Sequence, residues 1–342
     1  MRYLVGAVSV FAVAAVAFGA EPSLEDRARA IFKPLPKQYD AKENPITPAK
    51  VELGKMLFFD KRLSKNHDVS CDSCHDLANF GVDGNPTSTG HRGQKGGRNS
   101  PTVYDAGNHI AQFWDGRAPT LEEQAKGPVL NPVEMAMPDK AAVEKVLRSI
   151  PDYAKAFKQA FPGDKDAVSF DNMALAIGAF ERTLVTPSRF DAYLQGDAHA
   201  LTQPEKDGLK AFMDAGCIMC HSGEGLGGGM YQKFGLAVPV LDLKDTGRFE
   251  VTKQESDRFV FRVPGLRNTA KTGPYLHDGS VATLEDVVSV MATHQMNKNR
   301  GKAEVASIVT FLKSLTGELP KKSIAAPKLP ASGKDTPKPD PS

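Results

Sequence analysis

The chain has 342 residues, with 43 lysines and arginines against 41 aspartates and glutamates, for a formal net charge of +2. That near balance lacks the basic excess of a nucleic-acid-binding protein, so no nucleic-acid partner is expected. Only four cysteines are present, and all four fall in two copies of one short motif, so none remains for a separate disulfide framework.

Residues 1–20, MRYLVGAVSVFAVAAVAFGA, give Met-Arg, an apolar run from Tyr3 to Phe18 and then small residues, the pattern of a secretory signal peptide. A single membrane anchor is the alternative reading; the run falls short of the roughly 20 apolar residues that a span needs. The mature protein is therefore expected in the periplasm, and its remaining length of about 320 residues fits two domains.

Helix is expected in LEDRARAIF (24–32), followed by a Pro-rich crossing, and again in PAKVELGKMLFFD (48–60), where Val51, Leu53, Met56, Leu57 and Phe58 group on roughly one side. The first motif, Cys71-Asp-Ser-Cys74-His75, follows directly, and the second, Cys217-Ile-Met-Cys220-His221, lies 146 positions on. PEKDGLKAFMDAG (204–216) precedes the second as PAKVELGKMLFFD precedes the first. In C-x-x-C-H the two thiols form thioethers with the vinyl groups of a haem and the histidine becomes an axial ligand to the iron. A redox dithiol or half of a zinc site would not ask for the adjacent histidine.

Helix then motif, twice, predicts a mainly α fold of two cytochrome c-like haem domains with few short strands. The boundaries are read as 21–185 for the first domain and 186–318 for the second. Strand signals are confined to KFGLAVPVLDL (233–243) and RFVFRV (258–263). From Leu319 to Ser342 the tail is Pro- and Lys-rich with little to bury, and disorder is expected there.

Residues 81–100 hold six glycines and read as a mobile loop. His91 sits in its middle, 16 residues after His75, far enough to reach the opposite face of a haem; a surface histidine is the plainer reading. Trp114, the only tryptophan, is by default a core anchor, and Glu134 by default a surface carboxylate. In TLEDVVSVMATHQMNK both Met291 and Met296 are candidate sulfur ligands, or else core filler. His294 is a nearby imidazole.

The ordered set LGKMLFFDKRLS, SCDSCH, GQKGGRNSPTVYDAGNH, QFWDGRAPTLEEQAKGPVLNPVEM, CIMCH, FRVPGLRNTAKTGPYLHDGSVATLEDVV and VTFLKSLTG, over roughly residues 40–318, resembles the bacterial di-haem cytochrome c peroxidases. The resemblance implies a periplasmic enzyme that reduces hydrogen peroxide to water, with electrons from a small c-type cytochrome or copper protein. It implies two covalent haems c, on Cys71 and Cys74 and on Cys217 and Cys220, with His75 and His221 as proximal ligands. His91 matches the displaceable distal ligand of the first, peroxidatic haem, and Met291 the distal ligand of the second, electron-receiving haem. Gln124 and Glu134 match the polar pair where peroxide reacts, and Trp114 the aromatic bridge between the haems. Asn99, Thr272 and Pro274 match positions that hold a calcium ion between the domains. A homodimer is expected. The alternatives are a di-haem electron-transfer cytochrome without peroxidase activity, a related di-haem oxidase that modifies a protein, and a haem-based sensor.

Overall fold

The computed structural model describes residues 21–342, so the segment read as a signal peptide lies outside the described residues. The first half carries α1 (Leu24–Ile31), α2 (Pro48–Phe59), α3 (Cys71–Cys74), α4 (Leu121–Leu130), α5 (Lys140–Arg148), α6 (Pro151–Ala160) and α7 (Phe170–Glu181). The second carries α8 (Arg189–Leu194), α9 (Gln203–Asp214), α10 (Phe249–Thr252), α11 (Leu284–Met296), α12 (Lys302–Ser314) and α13 (Lys321–Ile324). Two three-residue strands, β1 (Tyr231–Lys233) and β2 (Val260–Arg262), pair antiparallel with Tyr231 opposite Arg262. The fold is mainly α, as expected.

Side-chain caps set where the main helices begin. Thr47 Oγ1 accepts from the Lys50 amide ahead of α2, with Pro48 at the first helical position, and Thr120, Ser169 and Thr283 cap α4, α7 and α11 in the same way. Two apolar cores result, one around α2 and α7 and one around α9 and α12.

The two cores repeat one packing device. A Cβ on Gly54 of α2 would lie 1.9 Å from the Ala176 carbonyl oxygen, and one on Gly208 of α9 would lie 2.2 Å from the Ser307 carbonyl oxygen. Only glycine lets the helices cross that closely. Four residues on, hence on the same helix face, Phe58 meets Phe180 with ring centroids 5.5 Å apart, and Phe212 meets Phe311 at 5.4 Å. Each crossing lies just ahead of a C-x-x-C-H turn in the chain, which is the structural trace of the duplication expected from sequence.

Three expectations need correction. Residues 24–32, read as part of the first domain, pack on the second core: Ala28 and Phe32 are buried there, and Phe32 meets Phe190 edge to face at 5.5 Å. The 233–243 segment is strand only at its start, because Gly235 and Pro239 interrupt it and its amides at Ala237 and Val238 bond the His294 carbonyl instead. The 319–342 tail is not loose. Leu319 and Ile324 pack on the first core, Arg62 reaches Ser332 Oγ at 3.0 Å, Ser149 pairs with Thr336 at 2.9 Å, and the Asp340 amide donates to the Lys65 carbonyl. Its backbone finds partners along the first domain that composition alone does not reveal.

Candidate active site

Each C-x-x-C-H segment forms one tight turn that swings its histidine inward: the His75 amide donates to the Cys71 carbonyl at 2.9 Å and the His221 amide to the Cys217 carbonyl at 3.0 Å. No pair of the four cysteines is joined by a disulfide. Burial pushes the Cys71 thiol well up and the Cys217 thiol up to about 11, so neither is the low-pKa thiolate of a redox dithiol. Burial likewise holds both imidazoles below their ordinary pKa, which keeps them neutral and able to offer a lone pair. His221 Nδ1 lies 3.0 Å from the Leu226 carbonyl, the contact that orients a ligating imidazole and leaves Nε2 for the metal.

The second site is a wide apolar cavity. Cys217, Cys220 and His221 line it, Met291 and Met296 both reach it from α11, and Trp114 closes the end toward the first domain. Val287, Val288, Met291, Ala292 and Gln295 share this lining, so one face of α11 forms the wall. His294, by contrast, turns its Nδ1 to the Val238 carbonyl at 2.9 Å. A cradle with two thiols, a neutral imidazole, facing thioethers and apolar walls fits a covalently held haem.

At the first site His91 is buried, in a short turn over His91–Gly93. The glycine-rich segment around it is anchored along its length rather than free. The His91 amide donates to the Glu134 carbonyl at 2.8 Å, Gly90 and Gln94 bond across the turn, and Gln94 Nε2 reaches the Pro132 carbonyl. His91 Nε2 lies 3.1 Å from the Ser342 backbone oxygen.

Glu134 is positioned by the turn that ends α4. Asn131 accepts the amides of Glu134 and Ala136 on its carbonyl and that of Val133 on its side chain, and its Nδ2 donates to Glu134 Oε1 at 2.8 Å. Burial raises the Glu134 pKa, against the lowering influence of Arg117 and of Asn131. Glu134 opens onto a polar pocket with Asn131, Arg117 and Phe113, the Arg117 guanidinium lying 3.4 Å over the Phe113 ring. Gln124 stands three, four and seven residues before Gly127, Pro128 and Asn131, on the same face of α4 as these three pocket residues, although it does not itself line that pocket.

Trp114 is fixed at the junction of the two domains. Its Nε1 donates to the Asn99 carbonyl at 2.9 Å, its carbonyl accepts the Arg262 amide at 2.8 Å, and its ring meets His277 edge to face. Arg98 clamps the same junction by bonding Asp115 on one side and Asp245 on the other. Asn99, Thr272 and Pro274 all line the second cavity.

Residues 48–199 match the family model of the di-haem cytochrome c peroxidases. The cytochrome c551 peroxidase of Pseudomonas aeruginosa is 52% identical over 323 residues, 93% of this chain and 92% of the relative. The chain belongs to the di-haem cytochrome c peroxidase family. The cytochrome c551 peroxidase of Nitrosomonas europaea is 48% identical over 313 residues, 88% of this chain and 92% of its own. Among solved structures, a MauG-like protein associated with microbial copper homeostasis superposes with a TM-score of 0.73 at 34% identity, covering 86% of this chain and 95% of that one.

In this di-haem peroxidase, sequence reasoning passed over Asn131, Arg262 and His277. Asn131 was legible only as part of NPVEM, since an asparagine three residues ahead of a carboxylate is an ordinary turn former. Arg262 and His277 carry no local signal, because what marks them is the cavity they face.

Proposed function

We propose that this protein reduces hydrogen peroxide to two waters at the first C-x-x-C-H domain, consuming two protons and two electrons relayed from the second. The observation that carries this reading is the 2.8 Å bond from the His91 amide to the Glu134 carbonyl. It puts the residue assigned to close one haem face and the residue assigned to move the proton on adjoining loops. Cys71 and Cys74 would hold one haem and Cys217 and Cys220 the other, and the haems so held would supply redox-active iron at the first site and electron storage at the second.

The chain's own groups do the rest. Glu134 takes the proton from one peroxide oxygen and returns it to the other. Its raised pKa brings it closer to the pH at which it can do both, and Asn131 holds the carboxylate in place. Gln124 orients the bound peroxide. Trp114, held by Asn99 and Arg262, carries electrons across the junction. Met291 would offer its sulfur to the second haem, which would favour the reduced state over a second histidine.

A small c-type cytochrome or copper protein is the donor. Met219 and Leu236 support its docking beside the second site, since both line the cavity yet are 69% and 54% exposed. Asn99, Thr272 and Pro274 offer oxygen ligands for a calcium ion between the domains. The protein acts in the periplasm as a homodimer; among the described residues no helix is long and apolar enough to cross a membrane. The test is to purify the exported protein, count its haems and follow peroxide-dependent oxidation of a reduced c-type cytochrome. Two haems with turnover are expected, and two haems without turnover contradict the reading.

A further inference from the structure

Two arginines of the segment FRVPGLR are among the most buried charged residues in the chain, and the fold treats them differently. Arg267 is 3% exposed and fully partnered: it pairs with Asp191 at 2.7 Å, donates to Ser188 Oγ and reaches the Glu224 carbonyl. Arg262 is 2% exposed and has no carboxylate within ion-pair distance among the described residues. Its Nε and Nη1 reach only two backbone carbonyls, of Phe113 and Val263, each at 3.4 Å. A guanidinium carries five donors and does not give up its proton. One buried without an anion is among the costliest arrangements a protein can hold, unless something absent from the chain supplies the charge.

The surroundings say where that charge would come from. Arg262 lines the second cavity, together with the two cysteines and the histidine of the second motif. The other arginine of this cavity, Arg300, already has an acid, Glu304, and a bond to the Ala215 carbonyl. Arg262 sits instead at the Trp114 end: its amide is bonded to the Trp114 carbonyl, and β2 holds it opposite Tyr231. A haem tethered through its vinyl groups to Cys217 and Cys220 presents its two carboxylates at the edge away from those tethers. We propose that Arg262 binds a propionate of the second haem, anchoring that edge beside Trp114 and offsetting a negative charge near the iron. The inference rests on the two-haem reading above.

The role is electrostatic, so the haem-loaded protein tests it without peroxide, by potentiometric titration of the second haem's optical spectrum at several pH values. A unit charge about 10 Å from the iron, at an effective dielectric near 20, changes the ferrous-to-ferric ratio by about tenfold. Arg262→Gln is expected to lower that ratio about tenfold at fixed potential, to make the potential pH-dependent near neutrality as the freed propionate titrates, and to leave the first haem alone. Arg262→Lys, which keeps the charge, is expected to stay within about threefold of the parent. An Arg262→Gln protein whose second haem titrates like the parent at every pH overturns the inference. Should the glutamine variant not accumulate with both haems, the lysine variant decides: a parental ratio supports the pairing, and a tenfold fall despite the retained charge overturns it. A parent protein without haem on Cys217 and Cys220 removes the two-haem reading as well, whereas a two-haem parent indifferent to Arg262 removes this inference alone.

Discussion

Replacing Gly90 by alanine tests how tightly the His91 turn is held against the Glu134 turn. A Cβ at position 90 would lie 2.2 Å from the Val133 carbonyl oxygen and 2.7 Å from both the Cα and the carbonyl oxygen of Glu134. Ordinary contact starts at 3.4 Å, so the two segments must part by about 1 Å, which stretches the 2.8 Å His91–Glu134 bond beyond a hydrogen bond. Losing that bond costs about 0.5–1.5 kcal/mol, and forcing a methyl group into a packed site costs about 1–3 kcal/mol. Gly90→Ala should therefore destabilise the closed arrangement by about 1.5–4.5 kcal/mol. If His91 closes the first haem, the resting low-spin, six-coordinate spectrum of that haem should give way to a five-coordinate one, without prior reduction. Absorption and electron paramagnetic resonance spectra of the oxidised protein, with a urea titration alongside, measure both effects. A parental low-spin spectrum together with an unchanged urea midpoint would refute the reasoning.

Three further outcomes follow from the same geometry. Met291→His should lower the potential of the second haem and leave the first unchanged; if the potential stays put, Met296, which reaches the same cavity, is the ligand to test. Exhaustive chelation should reduce turnover, or loosen the proposed dimer, by emptying the proposed calcium site at Asn99, Thr272 and Pro274, and full activity with no bound metal would count against calcium there. Burial, with Glu122 nearby, pushes the Glu181 carboxyl up to about 8 from an ordinary 4.5, so the folded protein holds a proton that the unfolded chain has released. The stability this group contributes is present below pH 4.5 and is lost as the pH rises toward 8. Glu181→Gln should thus gain on the parent across that window by at most about 1.4 kcal/mol per pH unit, and parallel urea midpoints from pH 5 to 8 would contradict it.

The parts of this protein that were legible in its sequence are those whose chemistry is local. A C-x-x-C-H turn needs only five consecutive residues, and the helix ahead of the first copy shows its apolar side in the spacing of Leu53, Leu57 and Phe58. What stayed hidden depends on partners distant in the chain. Residues 24–32 look like an ordinary amphipathic helix, and nothing in them says that Phe32 will meet Phe190. The tail is too polar to form a core, yet Ser332, Thr336 and Asp340 find hydrogen-bond partners on the first domain. The glycines of 81–100 suggested mobility, whereas Gly90 serves a close backbone approach. Arg262 and Arg267 are indistinguishable as letters, and only the fold shows that one has Asp191 and the other faces a cavity.

The most direct measurement is the turnover of Glu134→Gln, which keeps the shape of the side chain and removes its capacity to move a proton. With both haems loaded and their spectra and potentials parental, peroxide-dependent oxidation of a reduced c-type cytochrome should fall by about 10²–10⁴-fold, the contribution expected of general acid/base catalysis. Turnover at the parental rate would contradict the assignment of peroxide chemistry to the Glu134 side of the first site.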